Sequence, residues 1–250
     1  MFTIVTVTYN AESSLKKTIE SVLVQNFQNF EYLILDGLST DKTVEIAKSY
    51  ISKFDERKIS YQIISQKDEG IYDAMNKGVL SASGDWIYFL NAGDALYSKD
   101  ILSKIYDVIE KNQDISVVYG DYLSLKRGKE ILLHSKEVDN LPQQMICSHQ
   151  CVFFKIEVQK KFLYDLKYRI CADYNCLFKI YNAGYKFIKI NDIIVIYPMD
   201  GISNTQLAKT YEDVINVRIE NGALEKWTVK MILKKKWLKI KSLIKYLLKC

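Results

Sequence analysis

The chain has 250 residues, of which 48% are hydrophobic and 26% charged, and this composition excludes a disordered protein. The length allows one domain with a sizeable core plus an appendage. The formal net charge of +5 is uneven, because residues 224–250 hold nine Lys and one Glu and carry +8, which leaves −3 for residues 1–223. A nucleic-acid binder spreads basic charge over its folded face, so the acidic body argues against nucleic acid as a partner.

The N-terminal sequence and the cysteines predict a cytoplasmic protein. The opening MFTIVTVTYN lacks the basic region and long apolar stretch of a signal peptide, and no window of about 18 uncharged apolar residues predicts a transmembrane helix. An odd number of cysteines, five, favours reduced thiols. Cys147, His149 and Cys151 lie close together, but their spacing departs from the usual zinc pattern, so small buried thiols are the favoured interpretation.

Strand and helix patterns alternate along the chain. Strands are predicted at 3–9, 30–35, 59–64 and 86–90, with a further strand around 117–119 and a strand-like stretch at 151–154. Helices are predicted at 15–25, 43–53, 71–81 and 99–111, with expected caps at Asn10, Ser13 or Ser14 for the first and Thr40 or Asp41 for the second. This alternation predicts an α/β fold with a mostly parallel central sheet flanked by helices.

Polar residues follow the predicted strands at Asn10, Asp36, Asp68 and Asp94. Any one of them alone is more simply a turn or helix-cap residue. Ligands of parallel α/β sheets bind outside the carboxyl ends of the strands, however, and four such clusters predict a single crevice there.

The sequence lacks the usual phosphate-binding loops. Neither GxGxxG nor GxxxxGK[ST] occurs, so the crevice must hold phosphate in another way. An Asp at the end of a buried strand binds Mg²⁺ or Mn²⁺ through oxygen, and the metal then bridges a diphosphate. Asp94, after the apolar run 86–90, is the candidate.

Four motifs in order resemble glycosyltransferase family 2. They are TIVTVTYN at 3–10, DGLSTDKT at 36–43, DEGIYDAMNKG at 68–78 and SGDWIYFLNAGD at 83–94. The resemblance covers about residues 1–205 and is nearest to enzymes that build bacterial surface polysaccharides such as colanic acid, capsule and O-antigen. It implies a GT-A fold and an inverting transfer of one sugar from a nucleotide-sugar donor, with UDP the favoured nucleotide.

The resemblance also implies a donor site. Thr8 and Tyr9 would lie along the nucleoside, and Asp36 would contact the base or ribose. Asp68 would help to bind a uracil-like ring. The full predicted nucleotide-sugar-binding set is Thr8, Tyr9, Asn10, Asp36, Asp68, Asn76, Lys77, Asn91, Ala92 and Gly93.

Residues 91–94 (NAGD) occupy the position of the family's DXD motif. Asp94 matches the final metal-binding Asp, which implies Mn²⁺ or Mg²⁺ as cofactor. Asn91 and Gly93 stand where many relatives have Asp. Fewer carboxylates weaken the attraction to a cation, so metal dependence is expected, with its strictness left open by Asn91 and Gly93.

An inverting transfer needs a general base opposite the leaving nucleotide. Residues 171–175 (CADYN) resemble the family's Glu-Asp motif, with Asp173 at the catalytic Asp and Ala172 replacing Glu. Asp173 precedes a predicted amphipathic helix that ends near Gly184, so an N-cap is the alternative role. His149 and Gln150 are candidates for contact with the acceptor or the diphosphate, although a structural, hydrogen-bonded His149 is equally compatible.

Two C-terminal segments complete the organisation. Residues 197–204 resemble the mobile loop that closes over the donor, with a plain surface loop as the alternative. In residues 224–250 Lys recurs every four or seven residues between apolar and Trp residues, which predicts a basic amphipathic helix on an anionic membrane, in two pieces if Lys234, Lys235 and Lys236 interrupt it. Packing on the body or on a second copy in a homo-oligomer is the alternative.

The predicted domains are a GT-A domain at 1–205 and a helical, basic, membrane-associating segment at 206–250. The expected acceptor is a glycan carried on undecaprenyl diphosphate at the inner face of the cytoplasmic membrane. A competing hypothesis is a catalytically lapsed, nucleotide-sugar-binding scaffold subunit, suggested by Asn91 and Gly93. A nucleotidyltransferase would need a phosphate loop near the N-terminus, which residues 1–25 lack.

Overall fold

The computed structural model describes residues 1–126, 129–198 and 206–247, with the side chains of Lys126 and residues 242–247 outside the description. The strands are β1 (Phe2–Thr8), β2 (Phe30–Asp36), β3 (Ser60–Ser65), β4 (Trp86–Phe89), β5 (Ala95–Leu96), β6 (Val117–Lys126), β7 (Lys129–Leu133), β8 (Val152–Lys155) and β9 (Phe187–Pro198). The helices are α1 (Leu15–Leu23), α2 (Thr43–Lys48), α3 (Ile51–Glu56), α4 (Ile71–Ser81), α5 (Ile101–Lys111), α6 (Ile156–Lys161), α7 (Ala172–Asn182), α8 (Leu207–Glu220) and α9 (Val229–Leu247).

One sheet organises these elements in the order β3-β2-β1-β4-β8-β6-β9-β5, with β7 paired to β6. The first four strands of this order are parallel, and β6 and β9 are parallel as well. Antiparallel β8 joins the two parts by pairing with β4 and β6. The predicted α/β fold with a mostly parallel central sheet flanked by helices is confirmed.

The burial of the strands explains why the sequence pattern was informative. Every residue of β1, β2 and β4 is buried. Strands covered on both faces read as continuous apolar runs, because helices pack on each side of a parallel sheet. The helix α1 contributes Leu15, Ile19 and Val22 to the same core, each fully buried.

Local boundaries differ from the sequence prediction in three places. The predicted helix 43–53 is two helices, because the chain tightens at Ser49 and Tyr50 with bonds between residues three apart and buries the Tyr50 ring. The side chain of Ser14 makes no capping bond to α1, whereas the Asp41 carboxylate accepts the N–H of Thr43 at the start of α2. The strand predicted around 117–119 extends to Lys126.

The C-terminal helices pack in sequence on the body. Ile215 and Val217 of α8 are buried, and the Asn221 amide donates to Asn175 of α7 at 2.8 Å. The helix α9 packs against α8 and runs without a break through Lys234–236, so the prediction of two pieces is wrong. In the described parts of the chain, no helix is long and apolar enough to cross a bilayer. Of the predicted mobile loop, residues 199–204 lie outside the described residues, and the division at 205/206 stays a prediction.

Candidate active site

Strands β1, β2 and β4 end side by side, at the place where the sequence predicts a crevice. Thr8 pairs in register with Asp36 at the ends of β1 and β2, and the Gly37 N–H donates to the Thr8 carbonyl at 2.9 Å. The N–H of Leu90, after β4, donates to the Val5 carbonyl at 2.9 Å. The Thr8 hydroxyl oxygen is buried and has no hydrogen-bond partner among the described residues. The strand ends therefore hold a polar atom whose hydrogen bonding is incomplete within the protein.

Tyr9 and Asn10 follow β1 on the rim of this crevice. The Tyr9 side chain is 64% exposed, which leaves an aromatic ring free to lie along a planar group. Asn10 adopts φ +46°, a left-handed conformation that Asn tolerates better than most residues. Its side-chain oxygen accepts the Thr40 N–H at 2.9 Å, so Asn10 ties the loop after β1 to the loop after β2.

Asp36 is buried, and both of its carboxylate oxygens are engaged within the protein. One oxygen accepts the Ser39 hydroxyl, and the other accepts the Ser65 hydroxyl at 2.6 Å and the Ser39 N–H at 3.1 Å. These bonds join the ends of β2 and β3 and fix the turn after β2. A contact between Asp36 and a base or ribose stays a prediction.

Asp68 lies against the turn after β2, as the crevice prediction requires. A Cβ atom placed on Gly37 would sit 2.5 Å from Asp68 Oδ2, so a larger residue at 37 would displace the Asp68 carboxylate from its present position. The other oxygen, Oδ1, accepts the Gly70 N–H at 2.9 Å, just before α4 begins. The structure thus brings both Asp68 and Tyr9 close to Gly37.

Asn76 and Lys77 on α4 are engaged by the protein itself. The Asn76 amide donates to the Tyr164 carbonyl and accepts the Tyr164 N–H, both at 2.8 Å. Lys77 donates to the Lys67 carbonyl at 2.6 Å and pairs with Asp73 at 2.8 Å. Both side chains brace α4 against neighbouring segments, and a direct contact with the donor stays a prediction.

The turn 91–94 after β4 is held by one buried threonine of α1. The Thr18 hydroxyl accepts the Gly93 N–H at 2.9 Å and donates to the Asp94 carbonyl at 2.7 Å. Gly93 has φ +101°, a conformation that residues with a side chain rarely adopt. A glycine at position 93 therefore suits the backbone of this turn. Ala92 lies half-buried between Asn91 and Gly93.

Asp94 is 5% exposed at the end of this turn. Burial raises the pKa of Asp94 to about 6, although the nearby His149 ring and the hydrogen bond from Gln150 act in the opposite direction. The Gln150 amide donates to Asp94 Oδ2 at 3.1 Å. A buried carboxylate with so little compensation favours a cation beside it.

His149 connects the turn 91–94 to the start of α7. Asn91 Nδ2 lies 2.8 Å from His149 Nε2, and His149 Nδ1 lies 3.4 Å from Asp173 Oδ2. When the amide donates to Nε2 of a neutral imidazole, the ring proton sits on Nδ1, the nitrogen nearer to the carboxylate. The residue predicted to contact acceptor or diphosphate is therefore part of a chain Asn91–His149–Asp173.

Asp173 lies within the first turn of α7, whose N-cap is Cys171, so the N-cap alternative is wrong. Its side chain is 17% exposed. The Tyr72 hydroxyl lies beside it and donates to the Ile170 carbonyl at 2.6 Å, and burial together with Asp173 raises the pKa of Tyr72 well above its usual value. Asp173 Oδ1 accepts the Tyr174 N–H at 2.8 Å and Oδ2 faces His149, and a carboxylate with these contacts retains further lone pairs that can accept a proton.

The sequence did not reveal the contacts that join the two halves of the site. Tyr72, Thr18 and the link from His149 to Asp173 were missed, because each depends on segments far apart in the chain. The motif at 68–78 contains Tyr72, so that motif was the sequence feature that could have pointed to this residue.

The residues at the turn 91–94 fit a divalent cation whose ligands come partly from the protein and partly from a diphosphate. In residues 1–126, 129–198 and 206–247 no three His, Cys, Asp or Glu side chains are grouped to hold a metal by themselves. Asp94 supplies one carboxylate, and the buried Asn91 Oδ1 has no hydrogen-bond partner there. Mg²⁺ is commonly held by one or two carboxylates plus substrate phosphates, which matches this donor set.

Solved structures share the GT-A fold with this chain. S. aureus TarS 1–349 superposes with a TM-score of 0.70 at 17% identity, over 88% of this chain and 64% of that chain. The mannosyltransferase PcManGT from Pyrobaculum calidifontis, in complex with GDP-Man and Mn²⁺, superposes with a TM-score of 0.66 at 15% identity, over 86% of this chain and 62% of that chain. The chain thus spans less than two thirds of these two solved chains.

Sequence relatives carry glycosyltransferase names. A PGL/p-HBAD biosynthesis glycosyltransferase of Mycobacterium bovis is 29% identical over 214 residues, which cover 84% of this chain and 82% of the relative. Glycosyltransferase GlyA of Streptococcus pneumoniae is 31% identical over 128 residues, which cover 51% of this chain and 17% of GlyA. Residues 3–181 match the family described as glycosyl transferase family 2. Because this match spans most of the chain, the protein belongs to glycosyl transferase family 2 and is a glycosyltransferase.

Proposed function

We propose that the protein transfers one sugar, with inversion, from a nucleotide-diphosphate donor to an acceptor hydroxyl, with Asp173 as the general base. The observation that carries the proposal is the pair of consecutive residues His149 and Gln150. His149 lies against Asp173, and Gln150 donates to Asp94. A single short segment therefore holds the proposed base and the proposed metal ligand in one site.

The donor is proposed to bind along the strand ends. Tyr9 would lie along the nucleoside, and Asp68, which like Tyr9 lies close to Gly37, would meet the base. The buried, unpartnered Thr8 hydroxyl is a further polar group at this end of β1. UDP is the proposed nucleotide, and the TarS 1–349 complexes with UDP and UDP-GlcNAc support this choice by fold.

The diphosphate is proposed to lie at the turn 91–94. Asp94 and the Asn91 amide oxygen would hold Mn²⁺ or Mg²⁺ there, and the ion would supply positive charge to the leaving diphosphate. Gln150 orients the Asp94 carboxylate through its hydrogen bond. Because only one carboxylate is present in the turn, binding of the ion should depend strongly on the nucleotide.

The transfer itself is proposed to be a single displacement. Asp173 takes the proton of the acceptor hydroxyl as its oxygen attacks the anomeric carbon, and the bond from that carbon to the diphosphate oxygen breaks on the opposite face. His149, with Nδ1 3.4 Å from Asp173 Oδ2, is proposed to keep Asp173 oriented. Tyr72, protonated beside Asp173, limits rotation of the carboxylate.

The acceptor is proposed to be a lipid-linked glycan of a bacterial surface polysaccharide, carried on undecaprenyl diphosphate at the inner face of the cytoplasmic membrane. The basic C-terminal helix supports a peripheral location there. Several curated relatives are named for PGL/p-HBAD biosynthesis. A homo-oligomer is compatible with this assignment.

A lapsed, nucleotide-sugar-binding scaffold subunit is the second candidate, favoured by Asn91 and Gly93 in the DXD position. Gly93 is weaker evidence for lost catalysis than the sequence alone indicates, because its φ of +101° gives glycine a backbone role in the turn. Both candidates bind the nucleotide, but only the active glycosyltransferase turns over the nucleotide-sugar donor.

A donor panel tests the proposed function. The protein is incubated with UDP- and GDP-sugars and Mn²⁺, release of the nucleoside diphosphate is followed, and proton NMR at early times reports the configuration of the released or transferred sugar. Release from at least one donor with inversion, lost in Asp94→Ala and Asp173→Asn that remain folded, is expected. Tight nucleotide binding without any turnover supports the scaffold instead.

A further inference from the structure

Helix α9 carries an apolar face that is exposed in the described part of the chain. Its members are between 43% and 74% exposed: Val229, Ile232, Leu233, Trp237 and Ile240. Steps of three and four residues place them on one side of the helix. Single exposed apolar residues are ordinary on protein surfaces, whereas a continuous stripe marks an interaction site.

The opposite edge of α9 attaches the helix to the body. Met231, Lys235 and Leu238 are half-buried on that edge, where α9 packs against α8. Lys235 pairs with Glu212 of α8 at 2.8 Å, and its ammonium lies 5.8 Å from the centre of the Trp227 ring. The contact with the body thus uses one narrow edge and leaves the apolar face outward.

The charge around the apolar face selects the partner. Lys230, Lys236, Lys239 and Lys241 are exposed on the same helix, and no acidic residue follows Glu225 in the sequence. A second copy would bring two such basic surfaces together, which like-charge repulsion opposes. A surface that combines negative charge with an accessible apolar layer satisfies both features, and a bilayer of anionic lipids is such a surface.

We propose that this face of α9 docks on the surface of an anionic lipid bilayer, with the helix lying parallel to the membrane. The apolar stripe enters the boundary between head groups and acyl chains, and Trp237 sits at the interface, where its ring is favoured. Each Lys near the surface adds attraction to anionic head groups. The proposal rests on the surface of α9 and does not require the proposed sugar transfer.

The docked helix is connected to the segment that carries the proposed base. Asp213 of α8 is 1% exposed and accepts the Ile170 N–H at 3.2 Å, three residues before Asp173. Lys209 also pairs with Asp213, at 3.0 Å. Lipid docking would therefore hold the start of α7 near the membrane, which suits a lipid-linked acceptor; this consequence rests on the proposed function.

Vesicle flotation with the full chain tests the proposal. Vesicles of phosphatidylcholine alone and of phosphatidylcholine with phosphatidylglycerol are compared at low and high salt. The face variant combines Leu233→Glu with Trp237→Glu. A matched control combines Val24→Glu with Leu80→Glu, which are 58% and 66% exposed and add the same charge elsewhere. A third variant combines Lys236→Gln, Lys239→Gln and Lys241→Gln.

The expected result is binding to vesicles that contain phosphatidylglycerol, weakened by salt and by the Lys variant. Binding should fall roughly tenfold or more in the face variant and stay unchanged in the matched control. Wild-type protein that stays unbound, or a face variant that binds like wild type, overturns the proposal. A dimer that only the face variant dissociates, without vesicle binding, assigns the face to a second copy and also overturns it. Calorimetry of nucleotide binding to the face variant reports on the proposed function independently of vesicle binding, so failure of the one is distinguished from failure of the other.

Discussion

The turn 91–94 and the start of α7 each present one carboxylate, in contrasting surroundings. Asp94 is 5% exposed, receives one side-chain hydrogen bond from Gln150, and has its pKa raised by burial to about 6. Asp173 has a side chain 17% exposed in the first turn of a helix, with His149 and Tyr72 beside it. The first environment favours a partner cation, and the second favours exchange of a proton with an incoming hydroxyl. Under the proposed function, this difference would give the two carboxylates separate tasks.

The largest expected effect separates the two tasks at Asp173. Asp173→Asn preserves the shape of the side chain but removes its ability to accept a proton. We expect turnover of the donor to fall roughly 1000-fold, within the range typical of a lost general base, while the Kd for the nucleotide is unchanged. Nucleotide release assays and calorimetry on the same preparation measure both. Turnover near that of wild type would remove Asp173 from the chemistry.

His149 is expected to act on kcat and to spare nucleotide binding. Without its Nδ1–H, Asp173 loses an oriented neighbour, so His149→Ala should lower kcat roughly tenfold with little change in the KM for the donor. The matched control is His134→Ala, because His134 is the other histidine of the chain and pairs with Asp121 at 2.5 Å. Equal losses in the two variants would show that the effect is structural.

The raised pKa of Asp94 predicts a pH-dependent stability difference. The fold binds this proton more tightly than the unfolded chain, so the stabilising contribution is present at low pH and is lost as pH rises through about 6. Asp94→Asn has no such loss. With metal chelated, the free energy of unfolding of the variant relative to that of wild type should rise by roughly 1–3 kcal/mol between pH 4 and pH 8. Denaturant unfolding measures this difference. If the difference in unfolding free energy between Asp94→Asn and wild type stayed constant from pH 4 to pH 8, burial of an ionised Asp94 would be contradicted.

The smallest expected effect concerns Glu220, outside the site. Its carboxylate pairs with Lys167 at 2.5 Å and Lys179 at 2.9 Å and accepts from Tyr168, and these donors lower its pKa to about 2 against the penalty of burial. The stabilisation is present above about pH 4.5 and is lost as pH falls toward 2. We expect Glu220→Gln to cost about 1 kcal/mol at pH 7, because solvent screens the pairs.

The control for Glu220→Gln is Glu157→Gln, in a more exposed pair with Lys155. The control should leave the Tm unchanged, and turnover should be normal in both variants. A larger loss of turnover than of stability in Glu220→Gln would show that this pair network acts on the site, contrary to the account.

The fold was predictable because its signals are local. The apolar runs of β1, β2 and β4 read as buried strands, and their ends located Asp36 and Asp94 before any coordinates. The break at Tyr50 was missed because burial of its ring depends on tertiary contacts, including the bond from its hydroxyl to Glu20.

The connections within the site were not predictable in the same way. His149 meets Asn91 across 58 positions of the chain, and Gln150 meets Asp94 across 56. The antiparallel pairing of β8 with β4 creates both contacts, and nothing in the local sequence of 149–155 announces that pairing. Long-range side-chain contacts depend on topology and register, which a single sequence specifies only through the whole fold.

Calorimetry of UDP and GDP binding, with and without Mn²⁺, tests the division of tasks most directly when applied to wild type, Asp94→Asn and Asp173→Asn. If Asp94 binds the metal and Asp173 is the base, we expect Mn²⁺-dependent binding of one nucleotide to wild type and Asp173→Asn alike. We also expect the Mn²⁺ dependence to be lost in Asp94→Asn. Absence of nucleotide binding to wild type in either condition, or loss of binding in Asp173→Asn together with Asp94→Asn, would contradict this division of tasks.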